Sequence, residues 1–298
     1  MKLKILSMNI KNKSKLMIFA EYLGFERLAW TLRRLYCPVP SEALVLDVGS
    51  GGNPYPRANV LLDAYEESIE RYSLPLIKDR PLIFGLAEKM PFKDKVFDFV
   101  VASHVLEHTS DPEKFISELM RVGKSGYIET PDGFFERINP FRFHRLEVFE
   151  KEDKLVIFKK HNWKPFSELV EMYEKKMKDK KFIKFLSDHP SPFYVRYYWD
   201  EKIKYEVLNP EVDANWPIPT VEVNSYVDKH GKARLFLLKI IRFIFSQNTR
   251  NKKIEILDLL QCPSCASEDL MEKNQKIVCN SCNAVYLYKN KIPVLYPR

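Results

Sequence analysis

The chain has 298 residues, 45% of them apolar and 30% charged, with a net charge of +8. A chain this long can bury a large core without disulfides, and its composition excludes a disordered, collagen-like or integral membrane protein. No apolar run reaches the roughly 18 residues that span a bilayer, and the basic start MKLKILSMNIKNKSKLMIF lacks the long apolar stretch and small-residue cleavage site of a secretion signal.

The charge is unevenly placed. Residues 1–36 carry 8 Lys/Arg against 2 Asp/Glu, residues 37–133 carry 10 against 16, and residues 234–298 carry 11 against 5. The centre is acidic and both ends are basic. Basic arms can meet nucleic acid or an anionic membrane surface, or simply keep the protein soluble, and all three readings stay open. Four of the five cysteines form two CxxC pairs near the C-terminus. That suits a reducing, cytoplasmic compartment and a metal site better than a disulfide framework.

Residues 1–40 read as an amphipathic N-terminal arm that ends at Pro38-Val39-Pro40. From residue 41 short apolar runs alternate with loops or helices, the pattern of a parallel α/β sheet. The runs are 43–47, 59–63, 81–85, 97–103 and 126–130. A helix begins at Asp111-Pro112-Glu113, with Asp as cap and Pro in the first turn, and Gly123 stops it. Residues 144–150 and 154–158 alternate as a hairpin. A helix is expected over 165–187, with Phe166, Leu169, Tyr173, Met177 and Phe185 on one face, then a second hairpin from 193–199 and 203–208.

The first strand runs into Asp47-Val-Gly49-Ser50-Gly51-Gly52, a turn in which the backbone can approach a ligand. A phosphate loop would need GxxxxGK[ST], which is absent, and the third glycine of a dinucleotide turn is replaced by Pro54. An acid, Asp63, closes the second strand. This combination suits a nucleoside without a pyrophosphate, with Asp63 accepting from the ribose hydroxyls.

VLDVGSGG, Asp63, GLAEKMPFKDKVFDFVVASHVLEH and ELMRVGKSGYIETP occur in order over residues 42 to about 133. Together they resemble class I S-adenosylmethionine-dependent methyltransferases of the ubiquinone-methyltransferase type. The resemblance implies a Rossmann-like α/β fold with a seven-stranded sheet and the methyl donor at its carboxyl edge. It implies donor contacts at Asp47, Gly49, Ser50, Gly51, Asp63, Leu86, Ala87, Glu88 and Ser103. Three departures stand out. Only eleven residues separate Gly51 from Asp63, so the usual helix there is short or missing; Leu86 stands where the family commonly has Asp; and Gly52 follows Gly51 directly.

His104-Val-Leu-Glu107-His108 matches the HxxEH zinc-protease pattern as a string, but His104 ends a strand and the spacing is not helical. Either Glu107 and His108 fix the loop, or His104 contacts or deprotonates an acceptor. Methyl transfer from a sulfonium chiefly needs alignment, and a positioned base adds roughly 10²–10⁴-fold where the acceptor loses a proton. His104 is the first candidate and His144, in an inserted segment 134–164, the second.

Residues 234–255 form a basic apolar linker helix, either buried between domains, the slightly favoured reading, or lying on an anionic lipid surface through residues 234–253. Cys262-x-x-Cys265 and Cys279-x-x-Cys282, thirteen residues apart, have the spacing of a closed structural Zn²⁺ site. Residues 256–298 resemble the small zinc-ribbon protein that activates RNA and protein methyltransferases. The expected domains are therefore an arm (1–40), a methyltransferase domain (41–233), a linker helix (234–255) and a zinc ribbon (256–298). The expected activity is methylation of a small-molecule or saccharide acceptor, lipid-linked ones included, by a cytoplasmic protein, with peripheral contact at the inner membrane surface left open. The alternatives are an RNA or protein methyltransferase that uses the ribbon for recognition, and a non-catalytic S-adenosylmethionine-binding relative.

Overall fold

Five apolar runs become strands, most of whose side chains are buried on both sheet faces, which is why they lack alternation. In the computed structural model, which describes residues 12–68, 71, 74–218 and 232–298, they are β1 (Val45–Val48), β2 (Val60–Asp63), β3 (Leu82–Phe84), β4 (Phe99–Ser103) and β5 (Ser125–Pro131). They lie parallel in the order β3-β2-β1-β4-β5. All their carboxyl ends therefore meet on one edge.

Ahead of the sheet, α1 (Lys15–Tyr22) and α2 (Glu26–Leu32) pack Met17 and Ala20 against Ala29. Ser14 caps α1 by accepting from the Met17 N–H at 3.2 Å. The first eleven residues of the expected arm lie outside the described residues. No helix joins β1 to β2. The prolines at 54 and 56 disfavour one, and the Arg80 guanidinium satisfies the loop instead, donating to the Pro56 and Ala58 carbonyls at 3.0 and 2.7 Å.

α3 (Pro112–Val122) begins as its sequence directs. Asp111 accepts from the Lys114 N–H at 3.0 Å, and Phe115, Ile116, Leu119 and Val122 are buried against the sheet. After β5 come α4 (Gly133–Ile138) and the hairpin β6 (Leu146–Lys151) and β7 (Lys154–Lys159). The helix expected over 165–187 is two helices, α5 (Ser167–Lys176) and α6 (Lys180–Asp188). Asp179 caps the second by accepting from the Lys181 N–H at 2.8 Å, which restarts the helix. Neither fully buries a residue; Phe166, Leu169 and Phe185 are exposed, whereas Tyr173 is half-buried and meets the Phe135 ring at 6.1 Å.

β8 (Tyr194–Asp200) pairs antiparallel with β5 over seven residues. Its expected hairpin partner, β9 (Tyr205–Val207), does not extend that sheet. It joins β7 in parallel, in a separate sheet of order β6-β7-β9. Alternating residues specify a strand face but not which open edge receives it.

The seven-strand expectation is changed at the opposite edge too. α7 (Lys232–Phe245) and α8 (Asn248–Asn251) lead to β10 (Leu270–Lys273), β11 (Lys276–Cys279), β12 (Val285–Lys289) and β13 (Ile292–Val294). These four form an antiparallel meander, and β13 then pairs in parallel with β3, giving one ten-stranded sheet. The cysteine module shares a core with the domain: Leu260, Cys262, Tyr286 and Leu295 pack with Met90, Phe92 and Phe97.

The linker helix departs from the buried reading. Leu235, Phe236, Leu237, Ile240, Phe243 and Ile244 of α7 are exposed, Phe243 by 75%. α7 is anchored at its end, where Ser246 is buried and Asn251 accepts from the Asn59 side-chain amide at 2.8 Å.

Candidate active site

A cavity of about 670 Å³ opens where the carboxyl ends of β1, β2 and β4 face the inserted segment. Its lining runs from Gly49, Asp63 and Leu86 at one end to His104, His144 and Tyr194 at the other. One concave space thus joins the nucleoside-type turn to both sequence-expected histidines.

At the first end, Gly49 has φ +65°, and an added Cβ would lie 2.4 Å from Val105 Cγ2. Only glycine fits where β1 turns beneath the loop after β4. Gly49 and Ser50 N–H groups donate to the Leu62 carbonyl at 2.8 and 3.2 Å, stitching the turn to β2. Asp63 accepts from the Gly51 N–H at 2.9 Å and faces Arg71 Nη1 at 3.3 Å. Gly51, Ala87 and Glu88 also line the cavity. The Glu88 carboxylate accepts from the Thr109 hydroxyl at 2.6 Å.

Three expected donor contacts do not line the cavity. Asp47 is buried beneath the turn and accepts from the Tyr55 N–H at 2.7 Å. Burial pushes its carboxyl up to about 6, against the opposing pull of that hydrogen bond and of Arg34 and Arg80. Ser50 is buried. The Ser103 hydroxyl donates to Glu129 Oε1 at 3.4 Å.

At the other end, His104 has φ +58°, a left-handed conformation that non-glycine residues adopt at a cost. Its N–H donates to the Glu129 carbonyl at 2.7 Å, which holds it there. The ring lies 3.3 Å from Glu107 Oε1 through Nδ1 and 3.6 Å from Glu129 Oε1 through Nε2. Burial opposes a charged ring, but the hydrogen bonds and charge of the two carboxylates outweigh it and raise its pKa to about 10. The side chain is 47% exposed, so solvent moderates that shift. A ring held as imidazolium at neutral pH donates a proton rather than accepting one. These neighbours favour the protonated ring.

Glu107 is 1% exposed; burial alone would raise its carboxyl, and His104 holds it down to about 2. Burial pushes His108 down to about 4. His144 is buried, with Nδ1 2.6 Å from Glu136 Oε2. The rings of His108 and His144 meet edge to face at 4.7 Å.

Several contributors were not singled out in the sequence. Glu129, inside the apolar strand β5, accepts from Ser103 and the Tyr127 hydroxyl and pairs with Arg33 at 3.2 Å. A carboxylate flanked by buried strand residues was the available signal. Glu136 carries His144 and Lys160, both at 2.6 Å. Arg34 donates to the Asn53 carbonyl at 2.9 Å and so steadies the glycine loop. Arg33 is buried too. Part of the positive charge of the arm therefore points into the domain, which counts against reading all of it as a surface for anions.

Residues 46–128 match the family described as "Methyltransferase domain". That segment carries the pattern of a methyltransferase domain. The chain is 50% identical over 42 residues to ajmaline N-methyltransferase of Rauvolfia serpentina, 14% of either chain. It is 29% identical over 127 residues to an uncharacterized protein of Methanocaldococcus jannaschii, 43% of this chain and 60% of that one. The chain thus spans less than two thirds of the length of either relative. Among solved structures, it is similar to a possible histamine N-methyltransferase of Thermotoga maritima, with 20% identity, coverage of 40% of this chain and 59% of that one, and a TM-score of 0.28. A complex between the Haloferax volcanii Trm112 methyltransferase activator and a candidate methyltransferase gives 17% identity, coverage of 45% and 74%, and a TM-score of 0.32.

Beyond the methyltransferase domain, Cys262, Cys265, Cys279 and Cys282 cluster with all four sulfurs within 4.8 Å. Sγ–Sγ separations are 3.7 Å for 262–282 and 3.6 Å for 265–279. Both are far beyond a disulfide bond, and all four thiols are free. A tetrahedral zinc with Zn–S of about 2.3 Å sets its sulfurs roughly 3.8 Å apart, so this donor set fits such an ion. The Tyr286 hydroxyl lies 3.0 Å from Cys262 Sγ, where it can donate to a thiolate ligand.

Proposed function

We propose that the chain transfers a methyl group from S-adenosylmethionine to a small-molecule or saccharide acceptor, lipid-linked acceptors included. The single observation that carries this reading is the continuous cavity from Gly49 and Asp63 to His104 and His144. Its volume lies within the roughly 300–1,000 Å³ of ligand pockets. In this reading Gly49, Gly51, Asp63, Leu86, Ala87 and Glu88 hold the donor, with the ribose on Asp63. Asp47 and Ser50 act one step removed, by shaping the turn. The donor supplies an activated methyl group, so the protein's work is to align the acceptor and exclude water.

The exposed apolar residues of α7, beside Lys239, Arg250, Lys252 and Lys253, support contact with an anionic lipid surface. No described helix is long and apolar enough to cross a membrane. A structural zinc on the four cysteines is part of the same proposal. The continuity of its strands with β3 supports a scaffold role for the module over one in RNA or protein recognition.

The test is radiolabelled S-adenosylmethionine with extract of the source cells, followed by separation of organic-extractable material, small solutes, RNA and protein. Label in the organic or small-solute fractions, dependent on the wild type and lost with Asp63→Ala, is expected. Label in RNA or protein overturns the acceptor assignment. Donor binding without transfer to any fraction overturns the enzymatic one.

A further inference from the structure

The acceptor end of the cavity contains a donor set that alignment of a methyl group does not require. Glu107 and His108 end the 3-10 turn Leu106–His108, and His144 lies two residues ahead of the first strand of the inserted hairpin. The Arg145 N–H donates to the Glu107 carbonyl at 2.7 Å, so a backbone bond ties the two segments together. A carboxylate oxygen of Glu107 and one ring nitrogen from each histidine lie within 4.8 Å of one another. Ligands about 2.0–2.2 Å from a divalent cation stand roughly 3–4 Å apart.

Two features mark these groups as ligands rather than as a packed polar cluster. Each imidazole has a hydrogen-bond partner outside the cluster. His144 Nδ1 lies against Glu136 Oε2 at 2.6 Å, with Lys160 donating to the other oxygen of that carboxylate. A hydrogen bond with the Phe143 backbone holds His108. Metal-bound histidines are oriented in this way, by a carboxylate or a backbone carbonyl. The second feature is Glu107 itself. Its Oε1 faces His104, but its Oε2 is buried and meets no hydrogen-bond partner among the described residues. A buried carboxylate oxygen without a partner is costly, and a cation between it and the two rings would relieve that cost.

We propose that Glu107, His108 and His144 bind a divalent cation whose remaining positions face the cavity and take a hydroxyl oxygen of the acceptor. One carboxylate and two imidazoles with open positions suit zinc, iron(II), cobalt or manganese. The arrangement differs from the HxxEH string, since His104 is not a ligand and His144 replaces it. The cation half stands on the donor set alone. The acceptor half rests on the methyltransferase reading and narrows it to O-methylation. Bound to the cation, the hydroxyl loses its proton more readily, and the proton leaves to water in the cavity. The oxygen electron pair forms the new C–O bond as the C–S bond breaks, and the sulfur departs as a neutral thioether.

The test uses the full chain with zinc kept on its four cysteines, dialysed against a weak chelator that clears other sites, and titrated with Mn²⁺, which favours oxygen and nitrogen ligands over thiolates. Electron paramagnetic resonance of free Mn²⁺ should show one saturable site, weakened at least tenfold in Glu107→Gln and in His144→Gln. Solvent-proton relaxation should be enhanced by the bound ion, reporting a water in an open position. Circular dichroism checks that each variant is folded. No saturable binding by the wild type, or undiminished binding by both folded variants, overturns the site. Calorimetry with S-adenosylmethionine on the same protein separates the two readings: Mn²⁺ binding without donor binding sinks the methyltransferase reading, and donor binding without Mn²⁺ binding sinks the cation site. A methyl ether as product, its formation falling at least tenfold without cation, supports the acceptor half. A methylated nitrogen or carbon overturns it.

Discussion

Val294 stands in parallel register with Phe84, and the next residue, Leu295, donates its N–H to the Phe84 carbonyl at 2.8 Å. Through this pairing the cysteine module continues the sheet of the methyltransferase domain, and it covers an edge that would otherwise be open to other chains. The Tyr296 hydroxyl reaches the Ala64 carbonyl at 2.5 Å, one residue past Asp63. The module is thereby coupled to the donor end of the cavity.

Removal of metal from the four cysteines should therefore destabilise the whole fold as one unit. Differential scanning calorimetry of the zinc-loaded protein should give one cooperative transition, lowered by chelator or by Cys279→Ser. Elemental analysis should find about one zinc per chain at the cysteines. A domain transition that keeps its temperature while only the module melts would refute the coupling.

Asp63→Ala removes the acceptor for the ribose hydroxyls and one of the partners of Arg71, which keeps its bonds to the Tyr65 and Glu66 carbonyls. The loss of charge-assisted hydrogen bonds, at about 1.5–3 kcal/mol, should weaken donor binding about ten- to hundredfold by calorimetry. Unchanged affinity would mean that the ribose is held elsewhere.

Asp47 gives a pH dependence. Its folded pKa, about 6, lies above the ordinary value of 3.8 because the carboxyl is buried. The folded state therefore holds this proton more tightly than the unfolded chain. The resulting stability is fully present below about 3.8 and is lost as pH rises through about 6. Asp47→Asn, which keeps an acceptor for the Tyr55 N–H, should match the wild type near pH 4. At pH 7.5 it should be more stable by up to about 3 kcal/mol, the equivalent of roughly two pKa units. Parallel stability curves from pH 4 to 8, measured by urea unfolding, would count against this account.

The exposed side of α7 predicts membrane affinity. Flotation with vesicles containing phosphatidylserine should carry the wild-type protein, less so in high salt, and should fail for the double variant Phe243→Glu and Ile244→Glu. Both residues are solvent-exposed, so the variant should fold normally. Equal flotation of the two proteins would remove the lipid contact from the proposed function.

The sequence by itself determined what depends on local chemistry. The buried runs at 45–48 and 99–103, the Asp111–Pro112 helix start, the glycine turn ahead of Asp63 and the paired cysteines each follow from residue type and spacing, because strand burial, capping and turn geometry are settled within a few residues. The missing helix between β1 and β2 was legible for the same reason, from its prolines. The tertiary structure alone decided what depends on which distant surfaces meet. Nothing local to 205–207 directs β9 to the edge of β7, and nothing local to 292–294 directs β13 to β3, since any open strand edge offers the same backbone groups. The apolar sequence of α7 is compatible with burial or exposure, and among the described residues no element covers Phe243. His104 was found by its motif, but its charge is favoured by Glu107 and by Glu129, which comes from another strand. The meeting of Glu107 with His144 depends on a backbone bond from Arg145, 38 positions along the chain from Glu107. Spacing along a sequence does not encode such a contact, because long-range pairs are fixed by packing.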